Sequence, residues 1–243
     1  MNDYEKMIKA ELVRWQKKMM RNPSLVNRFT KRMQTKVNNL IPEKVHAAIT
    51  AAIRQMIHGV LFGAKHTTAP PLLHQPLLIR ETMVTEKIEQ YRKAAAAEGG
   101  ITGAGGLLMG LADFPLLIGI KIKLLYSIAS LYGYSVDEYK ERVYLLYIFQ
   151  LAFSSQQHRR EVYQKIINWE KQSQELPGSL DAFDWRTFQQ EYRDHIDLAK
   201  MAQLVPIIGA PVGAVVNYRL IKKLGDTAMN AYRMRWLDEG RRD

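Results

Sequence analysis

The sequence predicts an all-α protein, a multi-helix bundle that includes two glycine-rich apolar helical segments. Three observations predict it. Apolar residues recur at helical spacing along most of the chain, no period-two alternation persists over a strand's length, and Pro and Gly clusters punctuate the helical runs. With 243 residues and 47% hydrophobic content the chain can bury a substantial core. Residues 1–76 read as basic amphipathic helices and residues 77–243 as a helical domain, an arrangement also compatible with one continuous domain.

Taken in order, Tyr4, Ile8, Leu12, Trp15 and Met19 form the apolar line of a first helix that stops at Asn22-Pro23. Ser24 is placed to cap a second, with Val26, Phe29, Met33, Val37 and Leu40 on one side. Up to Leu40 there are ten Lys/Arg against three Asp/Glu, so most of the excess positive charge lies on these two helices. Lys9, Arg14, Lys17, Lys18, Arg28, Lys31, Arg32 and Lys36 are therefore the candidates for contact with an anionic membrane surface or an acidic partner. The competing reading is an ordinary bundle helix whose basic face is merely solvated.

A third helix is expected from Val45 through Val60. The following stretch contains Pro70, Pro71 and Pro76 and reads as a linker or a wrapped loop. Residues 78–97 are helical in pattern, with Met83, Ile88, Tyr91 and Ala95 expected inward and Glu89 placed to pair with Lys93 one turn later; Gly99-Gly100 is expected to break the helix.

The central stretch, residues 98–134, is glycine-rich and apolar, and between Ile101 and Ile120 its one charge is Asp113. That length reaches the roughly 20 residues a bilayer core requires. Asp113 and Pro115 at mid-span instead predict two apolar helices meeting at a bend, with Asp113 capping the second, pairing with a cation such as Arg142, or facing a ligand cavity. Gly99, Gly103, Gly106 and Gly110 fit close helix packing of the small-xxx-small kind. They do not form a phosphate loop, because no Gly-Lys-Ser/Thr closes the run and no strand precedes it.

Gly133 supplies a helix stop, and Ser135 with Glu138 fits a capping box for the helix carrying Tyr139, Val143, Leu146 and Phe149. Further helices are expected around Val162, Ile166 and Trp169, and from Trp185 to Ala199. Residues 204–216 echo the central stretch in composition and lead through Asn217 into a last helix with Tyr218, Ile221, Leu224, Ala228, Tyr232 and Trp236.

The formal charge of +11 and pI near 9.7 draw the surface toward something acidic. No helix-turn-helix, zinc finger or RNA-binding aromatic signature accompanies the basic helices, so nucleic acid is not expected. The absence of cysteine is compatible with a reducing cytosol, and the first twenty residues build no apolar signal core, so a cytoplasmic protein beginning at Met1 is expected. His158 with Glu161, and Glu191 with His195, are spaced to share helical faces and form the one metal-ligand set worth naming. Neither Gly-x-Ser-x-Gly nor His-Glu-x-x-His occurs, and no catalytic residue or cofactor is expected.

Three stretches together resemble the EcsC family. They are the glycines from Gly99 to Gly110 with Asp113-Phe114-Pro115 and Leu131-Tyr132-Gly133-Tyr134, the run Glu141-Arg142-Val143-Tyr144-Leu145-Leu146, and Pro206, Gly209, Gly213 and Asn217 followed by Ala228, Tyr232, Arg233 and Arg235. The resemblance spans about residues 79–235. It implies an all-helical protein on the cytoplasmic side of the membrane, associated with an ABC transporter system and without a settled enzymatic activity. The expectation is thus a non-enzymatic accessory protein partnered by anionic lipid or ABC transporter subunits. The alternatives are a metal-dependent enzyme built on His158, Glu161, Glu191 and His195, and a soluble carrier whose apolar hairpins line a lipid cavity.

Overall fold

A computed structural model describes residues 3–21, 51, 67–104, 114–176 and 209–240. Among them seven helices pack together and no strand occurs: α1 (Asp3–Met19), α2 (Leu77–Ala104), α3 (Phe114–Leu131), α4 (Tyr139–Phe153), α5 (Gln156–Ile167), α6 (Trp169–Gln174) and α7 (Gly209–Asp238). The all-α bundle is therefore the observed fold.

Helix α7 is its axis. It runs along α2 and also meets α1, α3 and α4, while α3 leans on α2, and α5 rests on α4 and α1. The sequence periodicity explains the packing. Ile221, Leu224, Ala228, Tyr232 and Trp236 of α7 are buried, as are Ile8, Leu12 and Met19 of α1. Every residue of α4 from Val143 to Phe153 is buried, as expected for a helix that is largely apolar on all sides. Helices α2 and α7 approach closely at Gly225, where an added Cβ would stand 2.5 Å from Ile88 Cγ1.

Gly133 ends α3 as its position predicts. With φ at +88° it lets the Tyr134 amide donate to Ala129 O at 3.0 Å and its own amide to Ser130 O at 2.9 Å, so the last carbonyls are satisfied. The proline-rich connection is a wrapped loop. Leu72 N donates to Ser130 O at 2.8 Å, and the Ser130 hydroxyl lies 2.7 Å from Ala69 O and 2.8 Å from Pro70 O. Buried Arg80 then gathers three carbonyls, those of Leu72 (2.5 Å), Gln75 (2.7 Å) and Leu131 (2.8 Å), and lies 4.8 Å from the Trp236 ring centroid.

Four local expectations are corrected. Helix α2 continues through Gly99-Gly100 to Ala104, because each glycine lowers helix stability by only about 1 kcal/mol and long packing against α7 outweighs that. Met83 faces outward, whereas Ile88 and Ala95 are buried as expected, Tyr91 is partly buried, and Leu77, Arg80, Glu81 and Val84 join them. The Glu89 carboxylate accepts from Arg92 at 2.6 Å and from the Tyr218 hydroxyl at 3.1 Å, so its partners are not Lys93. No capping box forms: α4 starts at Tyr139, its N-cap Glu138 makes no side-chain cap, and the Ser135 hydroxyl accepts from Asp137 N at 3.3 Å.

Candidate functional site

Two positions apart on a helix means roughly 200° around its axis, so Arg233 and Arg235 of α7 point to different sides. The guanidinium of Arg233 donates to both oxygens of Glu81 on α2, from Nε at 2.8 Å and Nη2 at 2.6 Å, and its Nη1 donates to Glu11 of α1 at 3.1 Å. Hydroxyls of Tyr4 (2.7 Å) and Tyr132 (3.1 Å) complete the shell of the buried Glu81 carboxylate. Burial opposes the Arg233 charge, yet the hydrogen bonds and charge of Glu81 raise its pKa further above the ordinary arginine value. Three helices are thereby tied to one guanidinium.

On the other side Arg235 donates to Glu141 of α4 at 2.8 Å, and the Tyr232 hydroxyl donates to the other carboxylate oxygen. Arg235 also lies over the rings of Tyr134 (3.9 Å) and Tyr144 (4.5 Å). Around it Tyr232 stacks on Tyr132 with ring centroids 5.2 Å apart and meets Tyr144 edge-on at 5.5 Å. Burial holds the phenols of Tyr132, Tyr144 and Tyr232 well above their ordinary pKa, so they are neutral hydrogen-bond donors. The arrangement is a lock that fixes α1, α2 and α4 around α7.

That lock positions the surface of α1. With Ile8, Leu12 and Met19 buried in the bundle, Lys6, Lys9, Arg14, Lys17, Lys18 and Arg21 stand exposed. Met7, Val13 and Met20 are exposed among them, and Asp3 pairs with Lys6 at 2.9 Å. The apolar stripe of α1 is occupied by the bundle, so only the basic face remains for a partner. Lys9, Arg14, Lys17 and Lys18 are thus brought together on one exposed helix; Arg28, Lys31, Arg32 and Lys36 lie outside the described residues.

The other expected residues fall in different places. Arg142 donates from Nη1 to the carbonyls of Val136 (3.2 Å) and Asp137 (2.7 Å), closing the turn before α4, while Asp113 lies outside the described residues. Asn217 is buried in α7, its Nδ2 without a hydrogen-bond partner. Gly99 and Gly103 lie in the last turns of α2, and Gly106 and Gly110 outside the described residues. His158 Nδ1 and Glu161 are 3.2 Å apart on α5; Glu191 and His195 lie outside the described residues. Among the described residues no helix is long and apolar enough to cross a membrane, and no group of three metal-ligating side chains forms. Glu81 and Glu11 were not singled out from the sequence, because a pair 152 positions apart leaves no local signal.

Comparison with known proteins adds a second line of observation. The sequence model of the EcsC protein family matches residues 6–237. The chain is similar to Protein EcsC of Bacillus subtilis (strain 168), 42% identical over 239 residues that cover 96% of each chain. It is also similar to the uncharacterized protein YdbA of the same strain, 29% identical over 160 residues, or 66% of this chain and 59% of the relative. No solved structure matches it.

Proposed function

Because the chain belongs to the EcsC protein family, we propose that it is a non-enzymatic accessory protein that works at the cytoplasmic membrane face beside an ABC transporter system. The transporter association is carried over from the family resemblance. The observation that supports a role at an acidic surface is the fixed array of Lys6, Lys9, Arg14, Lys17 and Lys18 on α1. An amphipathic helix that inserts into lipid must offer its apolar stripe, and this one has buried Ile8, Leu12 and Met19 in its own core. Contact is therefore made through headgroups or an acidic protein face, with Met7, Val13 and Met20 as small apolar additions. Each cation near an anionic leaflet contributes about 1 kcal/mol, screened by salt.

Liposome flotation tests this. The full chain is expected to float with vesicles containing anionic lipid and to be released by high salt, and the triple substitution Lys9→Glu, Arg14→Glu, Lys17→Glu is expected to abolish flotation without unfolding. A folded chain that ignores anionic and neutral vesicles alike removes lipid from the reading and leaves an acidic transporter subunit. Retention of lipid binding by the triple variant removes the α1 face.

A further inference from the structure

A cavity of about 400 Å³ opens where α1, α4, α5 and α7 meet. Trp15, Met19 and Leu151 supply apolar wall, and Lys18, Arg159 and Lys223 supply positive charge. The lining also carries a fourth cation and two carboxylates: Glu11 pairs with Arg233, likewise in the lining, at 3.1 Å, and Asp226 pairs with Lys222 at 2.5 Å. Among the described residues neither Lys18 nor Lys223 has a carboxylate partner; the ammonium of Lys223 lies 5.8 Å from the Phe153 ring centroid. Arg159 gives Nη2 to Ser154 O at 3.1 Å, while its Nε is buried with no hydrogen-bond partner.

Lys18, Arg159 and Lys223 thus share one partly enclosed space whose two carboxylates are each paired with another cation. Such an arrangement repels itself, and burial followed by the charges of Arg159 and Lys18 pulls the Lys223 ammonium down to about 8. A bound anion removes the repulsion. Like charges converging from three helices, beside an aromatic ring and aliphatic wall, match a doubly charged group joined to an apolar body.

We propose that this cavity binds a phosphate monoester, its oxygens held by Lys18, Arg159 and Lys223 and its organic part seated against Trp15, Met19 and Leu151. The same chemistry occurs in a small soluble ester and in the headgroup of phosphatidic acid. The inference shares Lys18 with the docking reading but is tested apart from it, since Lys6, Lys9, Arg14 and Lys17 do not line the cavity.

The test is calorimetric titration of the full chain with phenyl phosphate and, separately, with short-chain phosphatidic acid below its micelle concentration, with tryptophan fluorescence as a second readout. At least one ester is expected to bind, about tenfold or more weakly in Lys223→Met and in Arg159→Gln, and unchanged in Lys9→Gln. Tighter binding of phenyl phosphate assigns the site to a soluble ester, and tighter binding of the lipid assigns it to a headgroup. If neither ester binds the folded chain, or if both cavity variants bind as well as the unaltered chain, the proposal fails.

Discussion

Arg233 holds Glu81 through two parallel hydrogen bonds of 2.8 and 2.6 Å, joining the last described helix to the second across 152 positions of sequence. Both side chains are nearly sealed from water, at 9% and 1% exposure. Arg233→Met is expected to cost about 3–5 kcal/mol in urea unfolding, because it leaves the Glu81 carboxylate buried without a cation, and Glu81→Leu to cost less, because Glu11 still pairs with the Arg233 guanidinium at 3.1 Å. The double variant Glu81→Leu, Arg233→Met should be markedly less damaging than the sum of its parts; additive losses would mean the two residues do not act as a pair.

Gly225 is required by its neighbour rather than by its backbone angles. A methyl group there would meet Ile88 Cγ1 at 2.5 Å and Cγ2 at 3.1 Å, atoms close to the main chain with little freedom to yield. Overpacking of this kind costs about 1–3 kcal/mol, against about 1 kcal/mol gained in helix propensity. Gly225→Ala should therefore lower the thermal midpoint, and the same change made in an Ile88→Ala background should raise it. A gain in both backgrounds would contradict the close approach of α2 and α7.

Lys223 should give stability an unusual pH dependence. Its folded value of about 8 lies below the ordinary 10.5, so between those values the unfolded chain holds more protons and this residue's contribution improves as pH rises. Below pH 8 the residue is charged in both states and the cost of the buried charge is fully present. Lys223→Met is accordingly expected to be more stable than the unaltered chain at pH 7, with the gap closing from pH 8 to 10. Tyr163, pushed up to about 12 by burial, acts on both chains and cancels in the difference. Urea midpoints at four pH values decide it; a gap that stays constant rules it out.

Arg80 closes the loop before α2 by serving three carbonyls at once, a geometry that suits a planar fork and not a point charge. Arg80→Lys should cost about 1–3 kcal/mol, and limited proteolysis should then cut near Leu73, which is 61% exposed. Unchanged proteolysis would show that Ser130 alone secures the loop.

The helices were legible where periodicity alone decides them. Ile8, Leu12 and Met19 of α1 are buried because their spacing leaves them one face to share, whereas Val143, Leu146 and Phe149 lie on α4, which is buried on all sides because it is largely apolar. Met83 misled because a helix of this length presents several apolar lines, and its partner α7 selects among them. The basic face of α1 was visible as charge. The lock on Glu81 and Glu141 was not, since pairing across the chain follows from how helices stack, and Glu141 drew notice only through the family resemblance. The cavity followed the same rule: Lys18 stood among the basic residues of α1, whereas Arg159 and Lys223 acquire meaning only when α5 and α7 converge.

Being gripped from two sides has a mechanical result for α7. A slide by one helical turn, about 5.4 Å, would tear Arg233 from Glu81 and Arg235 from Glu141 together. The helix therefore behaves as a keel, and a push delivered to α1 would be carried to α2 and α4 as movement of one stiff body. Any yielding has to take place in the outer planking, which makes distance measurements between α1 and α7 under load, by paired spin labels, the place to look for stiffness.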